Sequence, residues 1–234
     1  MNAINQLLSK SNYTKPDIIN LLSINEDDVN KLYQKAYETK SKTVGNTVYY
    51  RGIIEFSNIC EKNCYYCGIR RDNENPDRYR MRKEEIIQAA EFAQKSDYGS
   101  LVLQSGEIKN PAFTDYIASL LKEIKNIQGR ELGVTLSLGE QTLETYRKWF
   151  EAGAHRYLLR IETSNSELYK KLHPHDHDFT SRFKALENLK KCGYQVSTAI
   201  IIGLPGQTKE NLAEHIFFIK KHHIDMIAMA PFIP

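Results

Sequence analysis

The chain has 234 residues, 41% hydrophobic and 26% charged, with a formal net charge of +3. That is the profile of a globular domain with room for a sizeable core, and the charge is too small to mark a nucleic-acid binder. No apolar run approaches the roughly 20 residues that cross a membrane, and Met1-Asn2-Ala3-Ile4-Asn5-Gln6-Leu7-Leu8 lacks the basic and apolar regions of a secretion signal, so a cytoplasmic setting without nucleic-acid or membrane partners is expected.

Residues 1–45 read as a helical extension. Thr14-Lys15-Pro16-Asp17 is a helix start with Ile18, Ile19, Leu21 and Leu22 behind it. Asn25 to Asp28 caps a second helix whose stripe is Val29, Leu32, Tyr33 and Ala36, expected to cover one end of the main domain. Residues 46–234 alternate short apolar runs with amphipathic segments. The runs lie near 51–57, 100–105, 133–138, 156–162, 196–203 and 226–233; helical patterns fall near 83–95, 111–127, 141–152, 180–192 and 208–222. That order predicts an α/β fold of about six parallel βα units, whose reactive residues gather at the C-terminal ends of the strands. The cysteines, Gly106-Glu107, Gly139-Glu140, Glu162 and Gly203 all fall at such ends.

Cys60, Cys64 and Cys67 are spaced C-x3-C-x2-C, with no fourth cysteine nearby. Thiolates hold iron–sulfur clusters, and three ligands on a four-iron cube leave one iron open to chemistry. The alternative is a zinc site, which closes with four Cys or His ligands, although the nearest histidine, His155, is far along the chain. A disulfide scaffold does not fit four cysteines with three of them clustered. Cys192 reads as a half-buried small residue. Arg70, Arg71, Arg78, Arg80, Arg82 and Lys83, interrupted by Asp72, Glu74 and Asp77, read as a solvated loop entering a helix. His173, His175 and His177 read as a polar loop.

The cysteine spacing, with Tyr66 as the aromatic before the last thiol, resembles the radical S-adenosylmethionine (SAM) family. More narrowly, the chain is similar to the HydE maturases of FeFe hydrogenases. The matching stretches are Ile53-Ile54-Glu55-Phe56-Ser57-Asn58, Leu103-Gln104-Ser105-Gly106-Glu107, Thr135-Leu136-Ser137-Leu138-Gly139-Glu140, Tyr157-Leu158-Leu159-Arg160, Gly203-Leu204-Pro205-Gly206-Gln207-Thr208 and Pro231-Phe232-Ile233-Pro234. The resemblance implies a partial TIM barrel ending after its sixth strand, without the last helix or strands seven and eight. It also implies a 4Fe-4S cluster on Cys60, Cys64 and Cys67, with SAM as second cofactor. SAM contacts are implied for Tyr66, Gln104, Ser105, Gly106, Glu107, Glu162, Arg182 and Gly203: Glu107 toward the amino group, Glu162 toward the ribose, Arg182 toward the carboxylate. Thr135, Ser137 and Arg160 would face a small-molecule or iron-complex substrate. A ferredoxin or flavodoxin would supply electrons, and a partner or further segment would cover the edge of the sixth strand.

The resemblance gives a radical enzyme serving assembly of the hydrogenase cluster. Biotin synthase-like and methylornithine synthase-like reactions are the neighbouring alternatives, and a non-catalytic remnant binding cluster and SAM is the third. Two departures lie near the expected substrate pocket: Ile161 stands where HydE proteins usually carry His, and Ser197 to Ile202 replaces a stretch richer in small residues and Met. No cysteines remain for an accessory second cluster.

Overall fold

Alternate residues of each apolar run are drawn to one layer of helices, and that alternation builds the sheet. The structure is a computed structural model that describes residues 3–129 and 131–233. Met1, Asn2 and Pro234, which entered the readings of the two termini, lie outside the described residues. Helices α1 (Ala3–Leu8), α2 (Lys15–Leu21) and α3 (Glu26–Thr43) precede the first strand. Then β1 (Gly52–Ser57), α4 (Lys83–Lys95), β2 (Ser100–Ser105), α5 (Pro111–Lys125), β3 (Gly133–Ser137), α6 (Leu143–Glu151) and β4 (Arg156–Leu158) follow. The order continues with α7 (Ser166–Leu172), α8 (Phe179–Lys191), β5 (Gln195–Ile202), α9 (Lys209–Lys221) and β6 (Met226–Pro231). The six strands lie in one sheet in sequence order, every neighbouring pair parallel. This is the expected α/β partial TIM-barrel arrangement.

Side chains alternate across a strand. Leu101, Leu103, Val134, Leu136, Tyr157 and Val196 point into the helical layer. There they meet Ile86 and Ala90 of α4, Ile117, Leu120, Leu121 and Ile124 of α5, Tyr146 and Trp149 of α6, and Leu186 and Leu189 of α8. The indole of Trp149 is fully buried and donates to the Thr114 carbonyl at 2.9 Å, which locks α6 onto α5. On the inner face the register sets polar residues side by side: Glu55 opposite Gln104, and Gln104 opposite Ser137. Gln104 Nε2 donates to Glu55 Oε1 at 2.8 Å.

Three elements depart from the sequence reading. β4 stops at Leu158 rather than running to residue 162. Thr198 of β5 carries the break: its Oγ1 donates to the Leu159 carbonyl at 2.8 Å and accepts from the Ile161 N–H at 3.2 Å. Helix α7 was not anticipated; Asn165 caps it by accepting from Leu168 N–H, and it buries Leu168, Tyr169 and Leu172 within a short span. Thr14 and Asn25 cap α2 and α3 as expected, but α3 buries no residue and Tyr33 is 64% exposed. It is α2 that meets the main domain, through Lys15 and Glu214 of α9 at 2.5 Å.

Thr198 is fully buried, so Thr198→Val keeps the shape and strips both hydrogen bonds, leaving a buried N–H unpaired. The expected loss is about 2 kcal/mol in urea unfolding; an unchanged midpoint would show that the break in β4 is held by something else.

Candidate functional site

The C-terminal ends of the strands surround a cavity of about 440 Å³. Its wall brings together Cys60, Cys64, Cys67, Tyr66, Gln104, Ser105, Gly106, Glu107, Ser137, Arg160, Glu162 and Arg182. Two expected residues are not on it. Thr135 is buried with its hydroxyl unpartnered but lies off the wall. Gly203 lies beyond the wall, where Ile201 takes its place. Gly203 serves its turn: φ is +90°, and its N–H donates to Gln207 Oε1 at 2.7 Å.

The cysteine loop is packed hard against the end of β2. A Cβ on Gly106 would fall 2.2 Å from the Ile59 carbonyl oxygen and 2.6 Å from Cys60 Cβ. Gly106 therefore admits the cysteine loop, and it lines the cavity as well. The Glu107 N–H, at 3.3 Å, and the Lys62 N–H, at 3.4 Å, both donate to Cys60 Sγ. On the opposite side the loop leans on the segment after α7: Tyr65 N–H donates to the Leu172 carbonyl at 2.9 Å, and Asn63 N–H to His177 Nε2 at 3.0 Å. Tyr66 Oη lies 3.4 Å from His173 Nε2. Since His173 Nδ1 faces the Tyr169 carbonyl at 2.9 Å and must donate there, Nε2 accepts from Tyr66. The histidines lie in a loop before α8, as expected, but only His175 is exposed, while His173 and His177 are buried against the cysteine loop.

Behind the thiols lies a buried charge network. Arg182 Nε sits 2.6 Å from Glu140 Oε1, a close contact off the hydrogen-bond line, and its Nη2 is 4.0 Å from Glu107 Oε2. Lys62 and Lys109 each reach both carboxylates, at 3.2 to 3.6 Å. Burial alone would raise the Glu140 carboxyl, but Arg182, Lys62 and Lys109 outweigh it and hold it below its ordinary range. The turn that presents these groups has no room for a side chain: Gly139 has φ +73°, and a Cβ would meet Glu107 Oε2 at 2.3 Å. Tyr157 Oη donates to the Gly139 carbonyl at 2.8 Å and fixes the turn from the core.

Glu162 follows the break in β4. Its backbone is left-handed, φ +59°, a costly geometry for a residue with a Cβ, and its N–H is pinned to the Ala199 carbonyl at 2.9 Å. The side chain is 2% exposed. Its nearest cation, Arg160 Nη1, is 3.9 Å away and itself half open to the cavity. Burial pushes the carboxyl up to about 7, with Arg160 and Arg182 opposing only weakly.

Buried polar atoms lacking a hydrogen bond include Glu107 Oε1, Glu162 Oε2, Tyr169 Oη and Arg182 Nε. Native interiors rarely leave such groups unmatched, and three of these four residues line the cavity. The wall is therefore shaped for a polar ligand carrying both donors and acceptors. Among the described residues no group of three or more His, Cys, Asp or Glu side chains is placed to hold a single metal ion. The three thiols line one side of the cavity instead, a donor set that suits an iron–sulfur cluster larger than one ion. Burial pushes the Cys64 thiol up to about 11 and raises Cys67, so loading with metal must release protons.

Glu140, Lys62, Lys109, His173 and His177 carried no assigned role in the sequence. Glu140 stood in a quoted stretch beside Gly139 and was the one with a visible signal. The others act through contacts distant in sequence.

The high Glu162 carboxyl sets a pH dependence. Between about pH 4.5 and 7 the folded chain keeps a proton that the unfolded chain releases, so stability falls as pH rises through that window. Glu162→Gln removes this slope. In urea unfolding of the metal-free chain, the variant should gain on the wild type by up to about 3 kcal/mol from pH 4.5 to 8. A gain that shrinks with pH would contradict the assignment.

The model of the Radical SAM superfamily matches residues 54–219. The [FeFe] hydrogenase maturase subunit HydE of Thermotoga maritima is 46% identical over 229 residues, 97% of this chain and 64% of that protein. The 3-methylornithine synthase of Methanosarcina acetivorans is 29% identical over 222 residues, 93% of this chain and 61% of that protein. The crystal structure of methylornithine synthase (PylB) superposes with a TM-score of 0.88 at 26% identity, covering 98% of this chain and 67% of that one. The chain thus spans less than two thirds of the length of the two relatives compared by sequence. The match runs from β1 to α9, through the cysteine loop and every strand end that lines the cavity, and the chain belongs to the radical SAM superfamily.

Proposed function

We propose that this chain is the cluster- and SAM-binding part of a HydE-type radical enzyme that serves assembly of the FeFe-hydrogenase active site. The observation that carries the reading is the cavity itself, where three thiols from β1's loop face the Gln104-Ser105-Gly106-Glu107 end of β2 beside unpartnered carboxylate oxygens. The 46% identity to HydE, against 29% to 3-methylornithine synthase, favours the maturase over the neighbouring reaction.

Cys60, Cys64 and Cys67 would hold three irons of a 4Fe-4S cluster, leaving the fourth for SAM. When bound, the two cofactors supply one-electron cleavage of the sulfonium to methionine and a 5′-deoxyadenosyl radical. The protein's own part is binding and orientation. Glu107 offers Oε1, ion-paired with Lys109 at 3.2 Å but without a hydrogen bond, to the amino group of SAM, Arg182 its guanidinium to the carboxylate, and Glu162 its Oε2, also without a hydrogen bond, to the ribose. Tyr66, Gln104, Ser105 and Gly106 shape the wall, with the turn at Gly203 next to Ile201 supporting the adenine side. Ser137 and Arg160 face the space left for a small-molecule or iron-complex substrate, with Thr135 behind them. The cationic fork of Arg160 is 43% exposed and free to bind an anionic group on that substrate. A cytoplasmic ferredoxin or flavodoxin is the electron donor this reading requires.

Equilibrium dialysis of labelled SAM against the anaerobically reconstituted chain tests the assignment. Glu107→Gln should weaken binding about tenfold or more, the scale of a lost charge-assisted hydrogen bond, while the surface change Lys170→Ala should leave it intact. A chain that loads a cluster and takes up no SAM would refute the proposal.

A further inference from the structure

The three thiols stand where they do because of side chains outside their own motif. Arg78, on the loop leading to α4, donates from Nη1 to the carbonyls of Asn58 at 2.7 Å and Ile69 at 2.9 Å. From Nη2 it donates to those of Arg70 at 2.8 Å and Asn73 at 2.7 Å. Asn58 precedes the first cysteine and the other three follow the last, so one guanidinium draws the two ends of the loop together. A planar fork with fixed N–H directions can do this; an ammonium on a flexible stem cannot. Arg78 is exposed in the loop before α4, as the basic stretch led one to expect, but its guanidinium is engaged by four backbone carbonyls.

The middle of the loop is held from the opposite side. His177 Nε2 accepts from the backbone N–H of Asn63, the residue before Cys64. A backbone N–H only donates, so Nε2 carries no proton. The proton sits on Nδ1, which faces Asp176 Oδ1 at 2.9 Å and donates to it. The imidazole side chain is 4% exposed, so water cannot readily replace the contact.

We propose that Arg78 and His177 are positioning residues that hold the Cys60–Cys67 loop in its ligand-ready shape before any metal binds. The proposal rests on the reading that this loop carries the cluster. Short metal-binding segments usually gain their order from the metal; here the folded chain supplies it in advance, which slows ligand loss once the cluster is in place.

Two measurements test this on the whole chain: hydrogen exchange across residues 58–73 without metal, and the rate at which a ferrous chelator strips the reconstituted protein. His177→Phe should speed exchange at the Asn63 amide about tenfold, one net hydrogen bond, and speed iron loss several-fold. His177→Gln, whose amide oxygen can accept the same bond, should return both to within about twofold of wild type. Arg78→Lys keeps the charge and loses the fork, so it should fail to rescue and should loosen both ends of the loop. Exchange in α5 and α6, whose described residues share no hydrogen bond with the loop, should stay at the wild-type rate in all variants. Wild-type exchange and iron loss in His177→Phe or Arg78→Lys would overturn the proposal, as would a Gln variant no better than Phe. A wild type that takes up no cluster would refute the family reading of the loop, while exchange in the metal-free chain would still decide the positioning claim.

Discussion

The site depends on the contact between the Ile59–Cys60 backbone and Gly106. With a Cβ on Gly106 falling 2.2 Å from a backbone oxygen, no other residue fits without moving the cysteine loop. That contact sets Cys60 beside the end of β2 and lets the Glu107 amide reach its sulfur. The same packing turns the Glu107 side chain toward the next strand, where the Glu140 N–H donates to its Oε2 at 2.8 Å. One glycine thus couples thiol, carboxylate and the third strand end.

Charge is managed differently in two parts of the cavity. Glu107 and Glu140 share Arg182, Lys62 and Lys109, enough cations to offset the cost of taking two carboxylates out of water. Glu162 has no such company, sits in a strained backbone conformation and holds its carboxyl near 7. Strain and an unmatched acid in the same residue are what a protein keeps where a ligand completes the balance. In the first part the charges are balanced although Glu107 Oε1 lacks a hydrogen bond; the second awaits a hydrogen-bond donor.

Much of this was legible in the sequence because it is written in local patterns. Apolar runs alternating with amphipathic segments gave the order of six strands, and the cysteine spacing with Gln104-Ser105-Gly106-Glu107 marked the cavity. The residues that stayed hidden act across long separations. His177 meets Asn63 and Arg182 meets Glu140 only after the sheet has formed, and nothing in His-Pro-His-Asp-His distinguishes a buried ring from a solvated one. The early end of β4 was equally invisible, since Leu159 and Ile161 continue the alternation of a strand while Thr198, a residue of another strand, supplies their hydrogen bonds. The stripe of α3 shows the reverse error: a helical period guarantees a helix, not a surface to bury it.

The central claim is that three thiols hold a cluster with one iron left for SAM. Low-temperature electron paramagnetic resonance of the reduced, reconstituted chain, titrated with SAM and run beside Cys64→Ala, tests it most directly. The account predicts a 4Fe-4S signal in the wild type that changes shape as SAM binds, and none of comparable intensity in the variant. A signal indifferent to SAM, or one that survives the loss of Cys64, would contradict it.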